Sequence, residues 1–105
     1  VGLDVADNPQ LERYEARLDG ELAGFAQYRV EGGRLTLFHT EVRPAFEGQG
    51  IGSALAASAL EGVRSRGLEL VPRCSFIASY VQHHPDLYLD LVPEPLRDAV
   101  MQRGS

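Results

Sequence analysis

Polar and apolar residues alternate in part from Glu12 to Leu18, again from Glu21 to Val30, and once more from Arg34 to Val42. A two-residue period belongs to extended strands, whose successive side chains point to opposite faces. Each break falls on turn chemistry. Asp19-Gly20 is a two-residue hairpin signal, because both central positions of such a turn need φ > 0, and Glu31-Gly32-Gly33 repeats it. Three antiparallel strands in meander order are predicted. On the third, alternation places Leu35, Leu37, His39 and Glu41 on one face and Thr36, Phe38, Thr40 and Val42 on the other. Arg43-Pro44 ends it, since proline cannot donate to the ladder.

From Ile51 to about Arg66 the period changes. At 100° per residue, Ile51, Leu55, Ala56, Ala59, Leu60 and Val63 fill about half the circumference, and Ser53, Ser58, Glu61, Arg64 and Ser65 share the rest. This predicts an amphipathic helix lying on the sheet, with Gly67 at its left-handed C-cap. Leu68 to Pro72 suits a short buried strand. Phe76, Ile77, Tyr80 and Val81 give a second, shorter helix from about Ser75 to His83, ended by Pro85. Leu96, Ala99 and Val100 suggest a last helix in the tail. Residues 1–9, which end in Asn8-Pro9, read as a loose leader, residues 10–92 as the folded domain, and 93–105 as a C-terminal helical tail. The fold class is α+β, with a mixed sheet.

A chain of 105 residues has room for one domain and one modest core. Fifteen acidic residues against ten basic leave a net charge of −5, which gives no general attraction to nucleic acid or to an anionic membrane. An anionic ligand must therefore be held by local geometry. All ten basic residues are arginine, which excludes Schiff-base chemistry and self-acetylation at a lysine. The single Cys74 cannot close an internal disulfide, and no cationic start followed by an apolar run is present, so a reducing cytoplasm is expected. The longest small-and-apolar stretch, Ile51 to Leu60, falls far short of the ~20 residues that a membrane span needs.

Chemistry concentrates in Glu47-Gly48-Gln49-Gly50-Ile51-Gly52-Ser53, between a strand and the start of a helix. Glycines let a ligand approach the backbone, and the N–H groups of a first helical turn favour a phosphate. On spacing alone, a flexible loop followed by a helix start is the plain alternative. The Walker loop is excluded because no Gly-Lys-Ser/Thr occurs. The dinucleotide fingerprint fits poorly, since two hairpins precede the glycines where a parallel βαβ unit is required.

The stretches HTEVRPAFEGQGIGSAL (residues 39–55) and VPRCSFIASYVQHHPD (residues 71–86) resemble the GCN5-related N-acetyltransferases. Within them the chain looks like the very small, stand-alone branch with a cysteine and a His-Pro pair after the main helix. The resemblance spans roughly residues 12–92 and is most specific over 39–86. It implies acetyl-coenzyme A as cosubstrate, with its pyrophosphate on the backbone amides of Gly48, Gln49, Gly50, Ile51, Gly52 and Ser53. Gly50 and Gly52 match the family's loop pattern. It also implies that the third strand splays from its neighbour, so that Thr40, Glu41 and Val42 pair with the pantetheine arm. Glu47 departs from the usual Arg or Gln. Its charge ~6 Å from a phosphate in water repels by only about 0.7 kcal/mol, which weakens affinity rather than abolishing it.

Acetyl transfer needs a neutral amine, a donor to the oxyanion and an acid for the departing thiolate. The resemblance gives the oxyanion to a backbone N–H near Val42 and the acid to Tyr80. A core tyrosine with its hydroxyl at the surface is the plain alternative. Cys74, before the second helix, reads either as an acid, base or acyl carrier beside the acetyl group or as a buried inert thiol. His39 and Glu41, on one strand face, are candidates for taking a proton from the ammonium form, or are structural. His83 and His84 are adjacent and lack metal-site spacing, so they read as cap or surface groups. The first two strands join directly through Asp19-Gly20, with no helices between them to form an acceptor wall. That suits a protein or peptide end, a polyamine or a small amine as acceptor, and a monomer or a homodimer in which a second copy completes the wall. A coenzyme-binding module without turnover and a nucleotide-binding domain are the competing readings.

Overall fold

The structure, a computed structural model, describes residues 2–102. Five strands form one sheet in the order β1-β2-β3-β4-β5: Leu3–Asn8, Arg13–Leu18, Glu21–Glu31, Arg34–Val42 and Glu69–Pro72. Neighbours are antiparallel except β4 and β5, which run parallel with Arg34 opposite Glu69 and Leu37 opposite Pro72. The helices are α1 (Ile51–Ser65), α2 (Ser75–His83), α3 (Pro85–Tyr88) and α4 (Glu94–Gln102). The architecture is thus α+β with a mixed sheet.

Residues 3–8 are a strand and not a loose leader. They pair with β2 from Leu3 opposite Leu18 to Asn8 opposite Arg13. The strand is easily missed because β1 is an outermost one, with Leu3, Asp4, Ala6 and Asp7 all exposed and only Val5 and Asn8 half-buried. Backbone pairing and one buried anchor hold it: Tyr28 Oη donates to Asp7 Oδ1 at 2.7 Å. Burial, and then the bond to Asp7 and its charge, push the Tyr28 phenol up to about 12. In the unfolded chain a tyrosine ionises near 10. The Tyr28 contribution to stability is therefore fully present below about pH 10 and is lost as pH rises toward about 12, because the unfolded chain releases this proton first. Urea midpoints measured across that window should fall with pH, and less steeply in Tyr28→Phe. Equal slopes would contradict the assignment.

The core lies between α1 and one face of the sheet. Ile51, Leu55, Ala56, Ala59, Leu60 and Val63, the six positions expected from the helical period, are buried against Tyr14, Ala16, Ala26, Tyr28, Leu35, Leu37 and Leu70. Gly62 lets the helix approach this closely, since a Cβ there would stand 1.9 Å from Tyr14 Oη. Beyond the helix, Leu68 N–H donates to Val63 O and Gly67 N–H to Arg64 O, with Gly67 at φ 67°, which is a Schellman cap. α2 and α4 are tied by Gln82 Nε2 donating to Val100 O at 2.7 Å. α4 is anchored at its start by Arg97 Nε donating to Val92 O at 2.8 Å.

Strict alternation fails in β4. The register steps from Gln27 opposite His39 to Tyr28 opposite Leu37, leaving Phe38 as an extra residue in a β-bulge. The bulge reverses the faces beyond it. Thr40 and Val42, opposite Ala26 and Gly24, join the α1 face with Leu35 and Leu37, whereas His39 and Glu41 turn to the other side with Phe25 and Gln27. The expectation that His39 and Glu41 share a face with Leu35 and Leu37 is corrected accordingly.

Candidate active site

β4 leads into the glycine-rich segment through a short 3-10 turn at Pro44–Phe46. Gly48 and Gly50 then take left-handed conformations, φ 82° and 77°, and Gly50 is the N-cap of α1. The first intrahelical bond is Ala54 N–H to Gly50 O. Among the described residues, the N–H groups of Gly48, Gln49, Gly50, Ile51, Gly52 and Ser53 donate to no protein acceptor. A Cβ built on Gly48 or Gly50 would meet nothing within 4 Å. At Gly48 and Gly50 the loop thus borders open space, at the positive end of a 15-residue helix with no acidic residue in its first turn. The adjoining hollow, of about 230 Å³, is lined by Val42, Phe46, Glu47 and Phe76 beside the loop itself. A diphosphate fits this donor set, with the exposed Glu47 as its one opposing charge.

At Gly52 a Cβ would come within 2.9 Å of Phe76 Cζ, so the start of α1 is packed directly against α2. Ser53 and Phe76 also line a second hollow of about 310 Å³ with Ser79, Tyr80, His83 and His84, which continues the first. Tyr80 lies here, half-buried, its ring 4.4 Å from His84 and 5.8 Å from Tyr88. His83 Nδ1 donates to Ser79 O at 2.7 Å and His84 Nδ1 to Tyr80 O at 2.9 Å. The carbonyl oxygens only accept, so these bonds set the tautomer of each ring, and both histidines cap the end of α2.

β4 and β5 part at a fork. Their pairing ends at Leu37 and Pro72, and Leu37 O then accepts from the N–H groups of both Arg73 (2.9 Å) and Cys74 (3.0 Å). Beyond this point His39–Val42 pairs with β3 alone, so the β5 side of Thr40, Glu41 and Val42 is a strand edge without a strand partner. Cys74 Sγ donates to Thr40 Oγ1 at 3.5 Å across the fork. On the opposite sheet face at the same level, His39 Nε2 and Glu41 Oε1 are 3.2 Å apart, both about half exposed, and the His39 ring packs on Phe25 at 5.9 Å.

The structure therefore brings Thr40 and Cys74 together in the fork and places His39 and Glu41 on its far side. Tyr80 lies six residues beyond Cys74 on α2, about 9 Å along the helix axis, in the second hollow. Sequence reasoning missed the Thr40 partner of Cys74, because nothing local marks a contact spanning 34 residues. It also missed the Tyr80–His84 stack, which the four-residue spacing on a helix would have suggested.

A sequence model described as GCN5-related N-acetyl-transferase matches residues 13–91. A mycothiol acetyltransferase from Clavibacter michiganensis subsp. michiganensis (strain NCPPB 382) is 43% identical over 53 residues, half of this chain but only 17% of the relative's length. The ribosomal-protein-S18-alanine N-acetyltransferase of Escherichia coli superposes with a TM-score of 0.54 at 30% identity, covering 57% of this chain and 39% of that one. The solution structure of a GCN5-like protein of Staphylococcus aureus superposes with a TM-score of 0.62 at 24% identity, over 87% and 88% of the two chains. The cosubstrate of the matched family is acetyl-coenzyme A. With the match extending from the start of β2 to Leu91, and so across both the glycine loop and the fork, the chain belongs to the GCN5-related N-acetyltransferase family.

Proposed function

We propose that this chain is an acetyl-coenzyme A-dependent N-acetyltransferase that transfers the acetyl group directly to an amine. The observation that carries the proposal is the run of six N–H groups without a protein acceptor, set beside a strand edge that leads to Cys74. The amides of Gly48 to Ser53 hold the pyrophosphate, and the free edge of Thr40, Glu41 and Val42 pairs with the pantetheine amides. The coenzyme supplies an activated thioester, and the fork places it. The amine nitrogen of the acceptor, first relieved of a proton by the His39–Glu41 pair, bonds to the thioester carbonyl carbon. As the C–S bond breaks, the nitrogen's remaining extra proton passes to bulk water, the sulfur takes the thiol proton of Cys74, and water then reprotonates Cys74 and carries off the proton held by the exposed His39–Glu41 pair. Amide and free coenzyme thiol are the products.

Tyr80 is proposed to line the coenzyme's path, with its hydroxyl as the alternative proton source. The acceptor comes from the class of protein or peptide ends, polyamines and small amines, and the protein works as a monomer or a homodimer. No helix among the described residues is long and apolar enough to cross a membrane, and the lone Cys74 supports a reducing, cytoplasmic setting. A second reading, coenzyme binding without turnover, draws on Glu47 in the wall of the loop hollow.

Acetyl-coenzyme A at 100 times its dissociation constant is expected to add about 2.7 kcal/mol to stability, with no response to NADH or ATP. A melting curve unmoved by the coenzyme would remove both readings. Thiol release with a panel of amines separates them. Cys74→Ala is expected to lower kcat by about 100-fold or more, the size of a general-acid contribution, while Tyr80→Phe costs less. The reverse order would transfer the proton-donor role to Tyr80.

A further inference from the structure

The sheet face turned away from α1 carries a third hollow, of about 440 Å³, between Arg29, Glu31, Thr36, Phe38 and Arg73. It lies at the fork, since Phe38 follows Leu37 and Arg73 precedes Cys74. The bulge at Phe38 lets that ring stand 44% exposed as an apolar wall. Most arginines are spoken for: Arg13 and Arg17 by Glu15, Arg34 by Glu69, Arg64 by Asp90. Among the described residues, the side chains of Arg29 and Arg43 alone meet no acceptor and no ring. Arg29 thus brings a guanidinium without a protein acceptor to this hollow, beside Arg73 and Glu31. Its size falls within the range of small-molecule sites.

We infer that this hollow takes a carboxylate carried by the acyl acceptor, so that the acceptor is an amino acid-like molecule or a peptide rather than a polyamine. The inference rests on reading the fork as the site of acyl transfer. Coenzyme bound along the α1 side leaves the opposite face for the amine, where His39 and Glu41 are exposed. Arg29 stands opposite Thr36, two residues along β3 from the Gln27–His39 pair, and that is about 7 Å of strand rise. An acceptor whose amine lies near His39 thus reaches Arg29 with its acid group if several bonds separate the two. A charge-assisted contact from the guanidinium then fixes its orientation.

The matched probes are 5-aminopentanoate and butylamine, which differ only in the carboxylate. In coenzyme thiol release, kcat/KM is expected to be at least tenfold higher for 5-aminopentanoate, and Arg29→Gln should collapse the ratio toward one. In the coenzyme A-loaded protein, 5-aminopentanoate should shift the backbone amide resonances of Arg29, Thr36 and Phe38, butylamine should not, and Arg29→Gln should abolish the effect. The inference is overturned if the two probes behave alike in wild type, if neither perturbs those amides, or if Arg29→Gln keeps the acid preference. Melting with acetyl-coenzyme A is read in parallel on wild type and variant. A preserved coenzyme response with no acid preference rejects this acceptor class alone, whereas a lost response in wild type rejects the acyl-transfer reading beneath it.

Discussion

Gly50→Val is expected to abolish the stabilisation that acetyl-coenzyme A gives the wild-type protein and to lower the melting temperature of the unliganded chain by roughly 5 to 15 °C. Two effects combine. Gly50 sits at φ 77° as the N-cap of α1, where a β-branched side chain is strained. The space its Cβ would enter is the open side of the loop, beside the run of N–H groups that meet no protein acceptor. Gly50→Asn separates the two, because asparagine tolerates the left-handed region. It should melt near wild type without ligand yet respond weakly to the coenzyme. A valine variant with a full coenzyme response would show that the pyrophosphate is held elsewhere.

Leu37→Ala should cost about 2–5 kcal/mol, the range for emptying a fully buried leucine site, and so lower the melting temperature by about 10 °C or more. Leu37 is completely buried, and its carbonyl holds both Arg73 and Cys74 at the point where the strands part. Leu35→Ala, equally buried but two residues back in the paired ladder, serves as the comparison. Both variants should lose similar stability in urea unfolding. At a temperature where both remain folded, only Leu37→Ala should weaken coenzyme binding, since only it loosens the fork. If Leu37→Ala falls within about 0.5 kcal/mol of wild type, the packing described around it is wrong.

Where one residue's neighbours in sequence are also its neighbours in space, the fold was readable in advance. The six buried positions of α1 follow from its period, Gly67 from the cap it makes, and the hairpin at Asp19-Gly20 from the backbone both residues must adopt, φ 51° and 86°. β1 escaped notice because an outermost strand buries little and so needs no apolar stripe. The faces of β4 were misjudged beyond Phe38, since a bulge is one extra residue that alternation cannot reveal. The candidate site divides the same way. Its glycine loop is a contiguous motif. The Cys74–Thr40 contact, the Arg29 hollow and the separation of His39 and Glu41 from the α1 face depend on which strands lie side by side and in what register.

The sheet order has a kinetic corollary. β1 to β4 pair strictly in chain order, so each ladder closes over a short tight turn. The single parallel pair must instead bring Arg34 beside Glu69, across a crossover that contains all of α1. Such closure is entropically dearer and slower than hairpin formation. During refolding the meander should gain amide protection early, while the groove between β4 and β5 matures in the final phase. The fork proposed to receive the thioester is then the last part of the molecule to form, and ligand added at the outset should slow unfolding far more than it speeds folding.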